Sequence, residues 1–174
     1  MDSWFVDQAR LGNVFRAANQ AAATVTLINT STATGFILSN PFGSDKDLIL
    51  WDVNFSYTTV PTATAIVFLA QSIAVSQTQV VHTTPLAVYK ADGTGATTAC
   101  RGRVDSAATT PVLPVYSRIL GYSPTTPATS DGLTFTDKVC GSVILAPGTF
   151  VQISYITTAP VGITSMTWVE VDNV

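Results

Sequence analysis

His82 is the only histidine in a chain of 174 residues, and imidazole is the side chain best suited to moving protons near neutral pH. To work as a base it needs a carboxylate to orient it and a nucleophile within hydrogen-bond reach. It precedes Thr83 and Thr84, with no acidic residue close by in sequence. No G-x-S-x-G elbow supplies a nucleophilic serine. The expectation is a surface or interface imidazole. An enzymatic alternative would require folding to bring His82, a carboxylate and a nucleophile into one pocket.

The carboxylates offer little more. Glu170 is the only glutamate, so a paired-carboxylate site would have to use aspartates. Asp45-Lys46-Asp47 follows Gly43 and invites a calcium reading, but the twelve-residue calcium-loop pattern is absent. A turn that opens the next strand is expected instead. Asp92-Gly93-Thr94-Gly95 lacks the lysine and the strand–loop–helix frame of a phosphate loop and reads as a glycine turn. No Cys/His cluster has zinc-ligand spacing. Neither metal nor cofactor is expected.

Cys100 and Cys140 do not make a disulfide framework; two buried thiols are expected, with a bridge between the two as the alternative. Arg101-Gly102-Arg103 is the one basic cluster; it could dock on an acidic neighbour or pair with Asp105. Trp51 and Trp168 lie in alternating stretches and are expected in the core.

What remains for function is surface. Hydrophobic residues make up 47% of the chain and charged residues 11%, against roughly 25% charged in ordinary soluble domains. Mean hydropathy is +0.36. The longest apolar run, Ala65 to Ala70, falls far short of the ~20 residues of a spanning helix. A charge-poor surface of this kind marks contact with other protein. A net charge of −3 and a pI near 4.7 argue against nucleic acid and anionic membrane as partners. Met1-Asp2-Ser3-Trp4 shows no signal-peptide pattern, so a cytosol-like compartment is expected.

The elements that would carry this surface are mostly strands. Leu11, Phe15, Ala18 and Ala22 recur at helical spacing, which predicts a short amphipathic helix or an extended arm over 1–23. From Thr24 onward the pattern is β. Ile49, Trp51, Val53, Phe55 and Tyr57 alternate with Leu50, Asp52, Asn54 and Ser56, and Val151, Ile153 and Tyr155 alternate with Gln152 and Ser154. Val25 and Leu27 alternate with Thr24 and Thr26 in the same way. Ala65–Ala70 is apolar on both faces, and the last strand around Met166 and Trp168 reads as covered on both sides.

Asn40-Pro41-Phe42-Gly43-Ser44, Pro61, Asp92-Gly93, Asp131-Gly132 and Pro147-Gly148 are turns. Residues 72–138 read as short strands joined by long loops, least structured by composition over Ser123–Asp131. The class is all-β: an antiparallel β-sandwich over 24–174, with a jelly roll as the favoured topology, preceded by the N-terminal arm.

Four segments together carry a resemblance: Gly12-Asn13-Val14-Phe15-Arg16-Ala17-Ala18-Asn19-Gln20-Ala21-Ala22, Ser39-Asn40-Pro41-Phe42-Gly43-Ser44-Asp45-Lys46-Asp47-Leu48, Gly141-Ser142-Val143-Ile144-Leu145-Ala146-Pro147-Gly148-Thr149-Phe150-Val151, and Met166-Thr167-Trp168-Val169-Glu170-Val171. In this order they resemble the small structural proteins of tailed bacteriophages that include capsid decoration, or cement, subunits. Asp45 stands where related chains often have Gly. The resemblance implies a virion structural protein: a homotrimer of jelly-roll domains on the capsid exterior, assembled in the host cytoplasm and bound to the major capsid protein. Partner contact is expected through Trp4, Phe5, Leu11, Phe15 and Arg16 of the arm and through Arg101 and Arg103. The alternative is a receptor- or carbohydrate-binding head of a phage fibre or tail, in which Tyr89, Tyr116 and Tyr122 would matter.

Overall fold

The computed structural model describes residues 3–59, 63–123 and 133–173. One helix, α1 (Ser3–Arg10), precedes thirteen strands: β1 (Val14–Ala18), β2 (Ala23–Thr24), β3 (Thr26–Leu27), β4 (Thr32–Asn40), β5 (Lys46–Thr59), β6 (Ala65–Ser72), β7 (Val81–Pro85), β8 (Tyr89–Lys90), β9 (Arg103–Thr109), β10 (Pro114–Ser123), β11 (Thr134–Leu145), β12 (Thr149–Thr157) and β13 (Val161–Asp172). They form two sheets. One runs β11-β5-β13-β1-β8, with β2 against β13; the other runs β10-β6-β12-β4-β9-β7, with β3 parallel to β12. The other strand pairs are antiparallel. The predicted antiparallel β-sandwich is therefore the fold. Apart from Ser123, the Ser123–Asp131 segment lies outside the described residues, as do the turns at Pro61 and Asp131-Gly132.

Four strand pairs nest along the chain: β4 with β12, β5 with β11, β6 with β10 and β7 with β9. This is the signature of a ribbon folded back on itself and rolled, as in a jelly roll. The first three pairs alternate between the sheets. The innermost pair does not: β7 and β9 extend the sheet that already holds β4, and β13, β1 and β8 fill the place beside β5. The arrangement departs from the jelly-roll order at that point.

The helical reading of 11–22 is corrected. Gly12, at φ 78°, ends α1, and the amides of Leu11, Gly12 and Asn13 close back onto Asp7, Ala9 and Gln8. Val14–Ala18 then pairs with β13, from Val14↔Val169 to Ala18↔Ser165. The open ladder of β13 and the β-favouring Val14 and Phe15 outweigh a helical spacing that shares only Phe15 with the strand alternation of Phe15 and Ala17, both buried. The 23-residue arm is thus a helix hinged at Gly12, followed by a strand built into the sandwich.

The core lies between the sheets, where Leu48, Leu50, Val53 and Phe55 of β5, Val67 and Leu69 of β6, Val151 and Ile153 of β12, and Met166 and Trp168 of β13 meet. Burying a side chain of this size contributes about 1.5–3 kcal/mol. A smaller cluster of Ala33, Ile37, Val80, Ala108 and Phe150 covers the outer face of the second sheet. That cover explains why Gln152 and Ser154, expected on a polar face, are fully buried; the Gln152 amide donates to Ser154 Oγ at 2.9 Å.

The apolar run of β6 is covered on both sides within its own chain. Ala65, Val67 and Leu69 face the main core, and Phe68 packs its ring 4.3 Å from that of Tyr116 on β10. Burial of this run against a neighbouring subunit, the other outcome allowed by its pattern, is not needed. Near the N-terminal end of the sandwich only Val25 of the expected alternating pair is buried, while Leu27 is exposed.

Candidate partner-binding surfaces

The alternation of β5 breaks at Trp51. Opposite β13 the register runs from Thr167↔Asp52 directly to Trp168↔Leu50, and opposite β11 from Lys138↔Asp52 to Val143↔Leu50. Both neighbours skip Trp51, which makes it a β-bulge. The bulge shifts the inward parity from Leu48 and Leu50 to Val53, Phe55 and Tyr57. Trp51, expected in the core, is turned to the outer face. On β11 the same irregularity takes up residues 139–142, with Cys140 at φ 48° and Gly141 at φ 81°.

α1 docks on this re-aimed tryptophan. The Phe5 ring stacks on Trp51 at 4.5 Å, and Trp4 lies 6.0 Å from it. No residue of α1 is fully buried. A cavity of about 590 Å³ remains between helix and sheet, lined by Phe5, Val6, Trp51, Lys138 and Cys140 among others. The helix is therefore held chiefly by two aromatic rings on the outer face of the sheet.

Arg101 and Arg103 line a different groove, of about 880 Å³, between the Pro41–Ser44 turn and the segment leading into β9. Its wall is built around Glu170, which is buried on β13. One oxygen, Oε1, accepts from the Gly102 amide at 2.8 Å, the Arg101 amide at 3.0 Å and Trp168 Nε1 at 3.2 Å; Oε2 accepts from the Arg101 amide at 2.9 Å. The sole glutamate is thus a clamp that ties the 101–102 backbone to the core. Arg101 pairs with Asp45 at 3.0 Å rather than with Asp105, and its guanidinium holds the Asp45 carboxyl below the usual carboxylate range. Arg103 is exposed and makes no ion pair among the described residues.

His82 also lines this groove. Folding brings it to a carboxylate that its sequence neighbourhood did not offer: Nδ1 contacts Oδ2 of the fully buried Asp105. The contact crosses the β7–β9 pair where its register is shifted twice, between His82↔Ala108 and Pro85↔Asp105. A histidine oriented by a carboxylate is half of a nucleophilic triad. The thiol that lines the same groove, Cys100, has its pKa pushed up to about 11 by burial and by the Glu170 carboxylate, and its Sγ–H donates to Gly102 O. It stays protonated at neutral pH and is a poor nucleophile. Cys100 and Cys140 are both free. Cys140 is exposed, a correction to the expected burial, because its bulge carries it out of the sheet.

The acidic turns do structural work. Ser44 closes onto Pro41 at 3.1 Å around Gly43, while the Asn40 side chain donates to the carbonyls of Lys46 and Leu145 at 2.8 Å each. Lys46 pairs with Asp172, and Asp47 accepts from Asn173 at 3.0 Å. Asp92 caps its own turn by accepting from the Thr94 amide and hydroxyl at 2.9 and 2.7 Å, which lowers its pKa.

The third surface is the β10 edge. Val115, Tyr116, Ile119 and Tyr122 on this strand, and Leu113 just before it, are exposed. Sequence reasoning singled out the two tyrosines but not Leu113, Val115 or Ile119, whose irregular spacing gave no clean period. On the inner side Gly121 lies so close to the Phe135 ring that a Cβ there would clash with it.

The expected contact residues therefore separate. Trp4 and Phe5 meet at Trp51. Leu11 and Arg16 are exposed, whereas Phe15 is in the core beside Trp168 and cannot serve a partner. Arg101 and Arg103 line their own groove. Comparison with protein-family models, curated proteins and solved structures found no match to this chain.

Proposed function

We propose that the chain is a structural subunit of a phage-type virion, a capsid decoration protein that works by surface contact rather than by catalysis. The major capsid protein is its partner, and the outside of the shell is its place. One observation carries the reading: α1 keeps none of its eight residues buried yet holds Trp4 and Phe5 together on an outward-turned tryptophan. Large aromatics at a lightly held terminus suit attachment to a second surface. A shell multiplies modest contacts, so each copy needs only a small footprint.

The foot must be shorter than the sequence pattern implied. Removing 1–23 would also remove β1 and expose β13, so the attachment segment ends at Gly12. Deleting residues 3–10 is expected to leave the circular dichroism of the sandwich unchanged and to abolish co-sedimentation with shells lacking the protein. Undiminished binding by the truncated protein would refute the attachment role.

The exposure of Tyr89, Tyr116 and Tyr122 favours a second reading, a receptor- or carbohydrate-binding head. Glycan binding lost on replacing these tyrosines with alanine would select it.

A further inference from the structure

The Arg101-Gly102-Arg103 cluster is anchored with a precision that the attachment role of α1 does not use. Gly102 is buried between two exposed arginines. A Cβ at this position would lie 3.0 Å from Trp168 Nε1 and 3.1 Å from Leu48 Cδ1, so glycine is what lets the backbone settle this close to the core. The buried Glu170 carboxylate fixes the same stretch by accepting from the Arg101 and Gly102 amides. The segment is pinned at its centre, and both arginines line the groove from a rigid base.

The two then part. Arg101 is spent on Asp45. Arg103 makes no ion pair among the described residues. His82 is fixed in the same groove from behind: Asp105 is fully buried, its Oδ2 meets His82 Nδ1, and its Oδ1 has no partner. With Nδ1 committed, Nε2 is the ring nitrogen left for the groove. No acidic side chain among the described residues lines this groove, although acidic residues outnumber basic ones by eleven to eight in the chain.

We propose that the groove is a docking site for an acidic, partly apolar peptide segment of another protein, with a carboxylate on Arg103 and an apolar side chain against Phe42 and Leu86. The reading of the chain as a shell-bound subunit supplies the source of that segment, the major capsid protein; the chemistry of the groove stands apart from it. Charge complementarity selects the class, because a guanidinium fixed in place meets a carboxylate through paired hydrogen bonds. The volume of about 880 Å³ is that of a concave site that encloses its ligand. The apolar part of the wall favours a peptide over an acidic polysaccharide, whose hydroxyls would lose their hydrogen bonds against it. Because Gly102 and Glu170 hold the backbone beforehand, little ordering is required of the groove on binding.

NMR titration of the nitrogen-15-labelled full chain tests this with no shell present. A capped six-residue peptide of alternating aspartate and leucine should shift the 101–104 amides and the Arg103 Nε–H saturably. Arg103→Gln is expected to weaken that binding about tenfold, the scale of one charge-assisted hydrogen bond, with circular dichroism unchanged. Lys90→Gln, which removes an equal charge from the other sheet, should leave it within about twofold, since separated surface charges are screened. The corresponding asparagine–leucine peptide should bind at least about tenfold more weakly. Shifts confined to other surfaces, equal losses from the two substitutions, or equal binding of the two peptides would overturn the proposal. Polygalacturonate binding the groove more tightly than the peptide would overturn the peptide as its occupant.

Arg103→Gln should also reduce co-sedimentation with shells lacking the protein. Unchanged co-sedimentation would overturn the capsid protein as the source of the segment. Peptide binding by a chain that ignores shells would count against the decoration reading alone.

Discussion

Trp168 and Trp51 sit on neighbouring strands, one residue out of register, and meet opposite fates. Trp168 pairs with Leu50, is fully buried against Phe15 and hydrogen-bonds Glu170. Trp51, next after Leu50, is skipped by both neighbours and faces outward under α1. The β13 flank is tied down by its buried glutamate and the 101–102 backbone; the flank carrying Trp51 is covered only by the lightly held helix α1. A single extra residue in a strand separates the two. The pleat admits one parity, and a bulge reverses it for everything beyond.

Mutations at the two tryptophans should test that contrast most strongly. Trp168→Ala is expected to cost about 4 kcal/mol in urea unfolding, the range for deleting a buried aromatic. An effect near that of a surface change would erase the distinction. Glu170→Gln should cost about 2 kcal/mol, because an amide accepts with one oxygen in place of two and leaves a buried donor underserved. Trp51→Ala should cost about 1 kcal/mol, the scale of an exposed aromatic pair. It should also speed amide exchange in α1 while sparing β13; slow exchange in α1 after that change would mean the helix is held by more than the rings.

The two thiols extend the contrast to a finer scale. Cys140 should alkylate rapidly at pH 8 and Cys100 slowly. Since the folded Cys100 thiol titrates near 11, against 9.0 as the ordinary value, the unfolded chain releases this proton first. Stability should therefore fall as pH rises from about 9 toward 11, and Cys100→Ala should flatten that slope. Identical slopes for the two proteins would remove the half-buried environment assigned to Cys100.

Much of the fold was legible because it depends on local signals. The Asn40–Ser44 turn, the Asp92–Gly95 turn and the double burial of β6 follow from residue type and spacing, whereas β13, expected to be covered on both sides, is so only around Val169, with Ile163 exposed. What escaped depends on pairing. Nothing in the order Ile49-Leu50-Trp51-Asp52 marks Trp51 as the bulge, since the insertion is defined by what β11 and β13 place opposite it. Phe15 fits both periods, and only the vacant edge of β13 selects the strand. His82 and Asp105 are joined by register across 23 residues, which no motif encodes. The β10 edge carries its signal as an absence of alternation, and becomes readable only once its neighbours show it to be an edge.

The central claim is that this chain acts by covering a repeating surface. Counting its copies per particle by quantitative mass spectrometry tests that directly. Hundreds of copies are predicted, in proportion to the shell lattice; a few tens or fewer would contradict the account and place the protein in a tail or fibre.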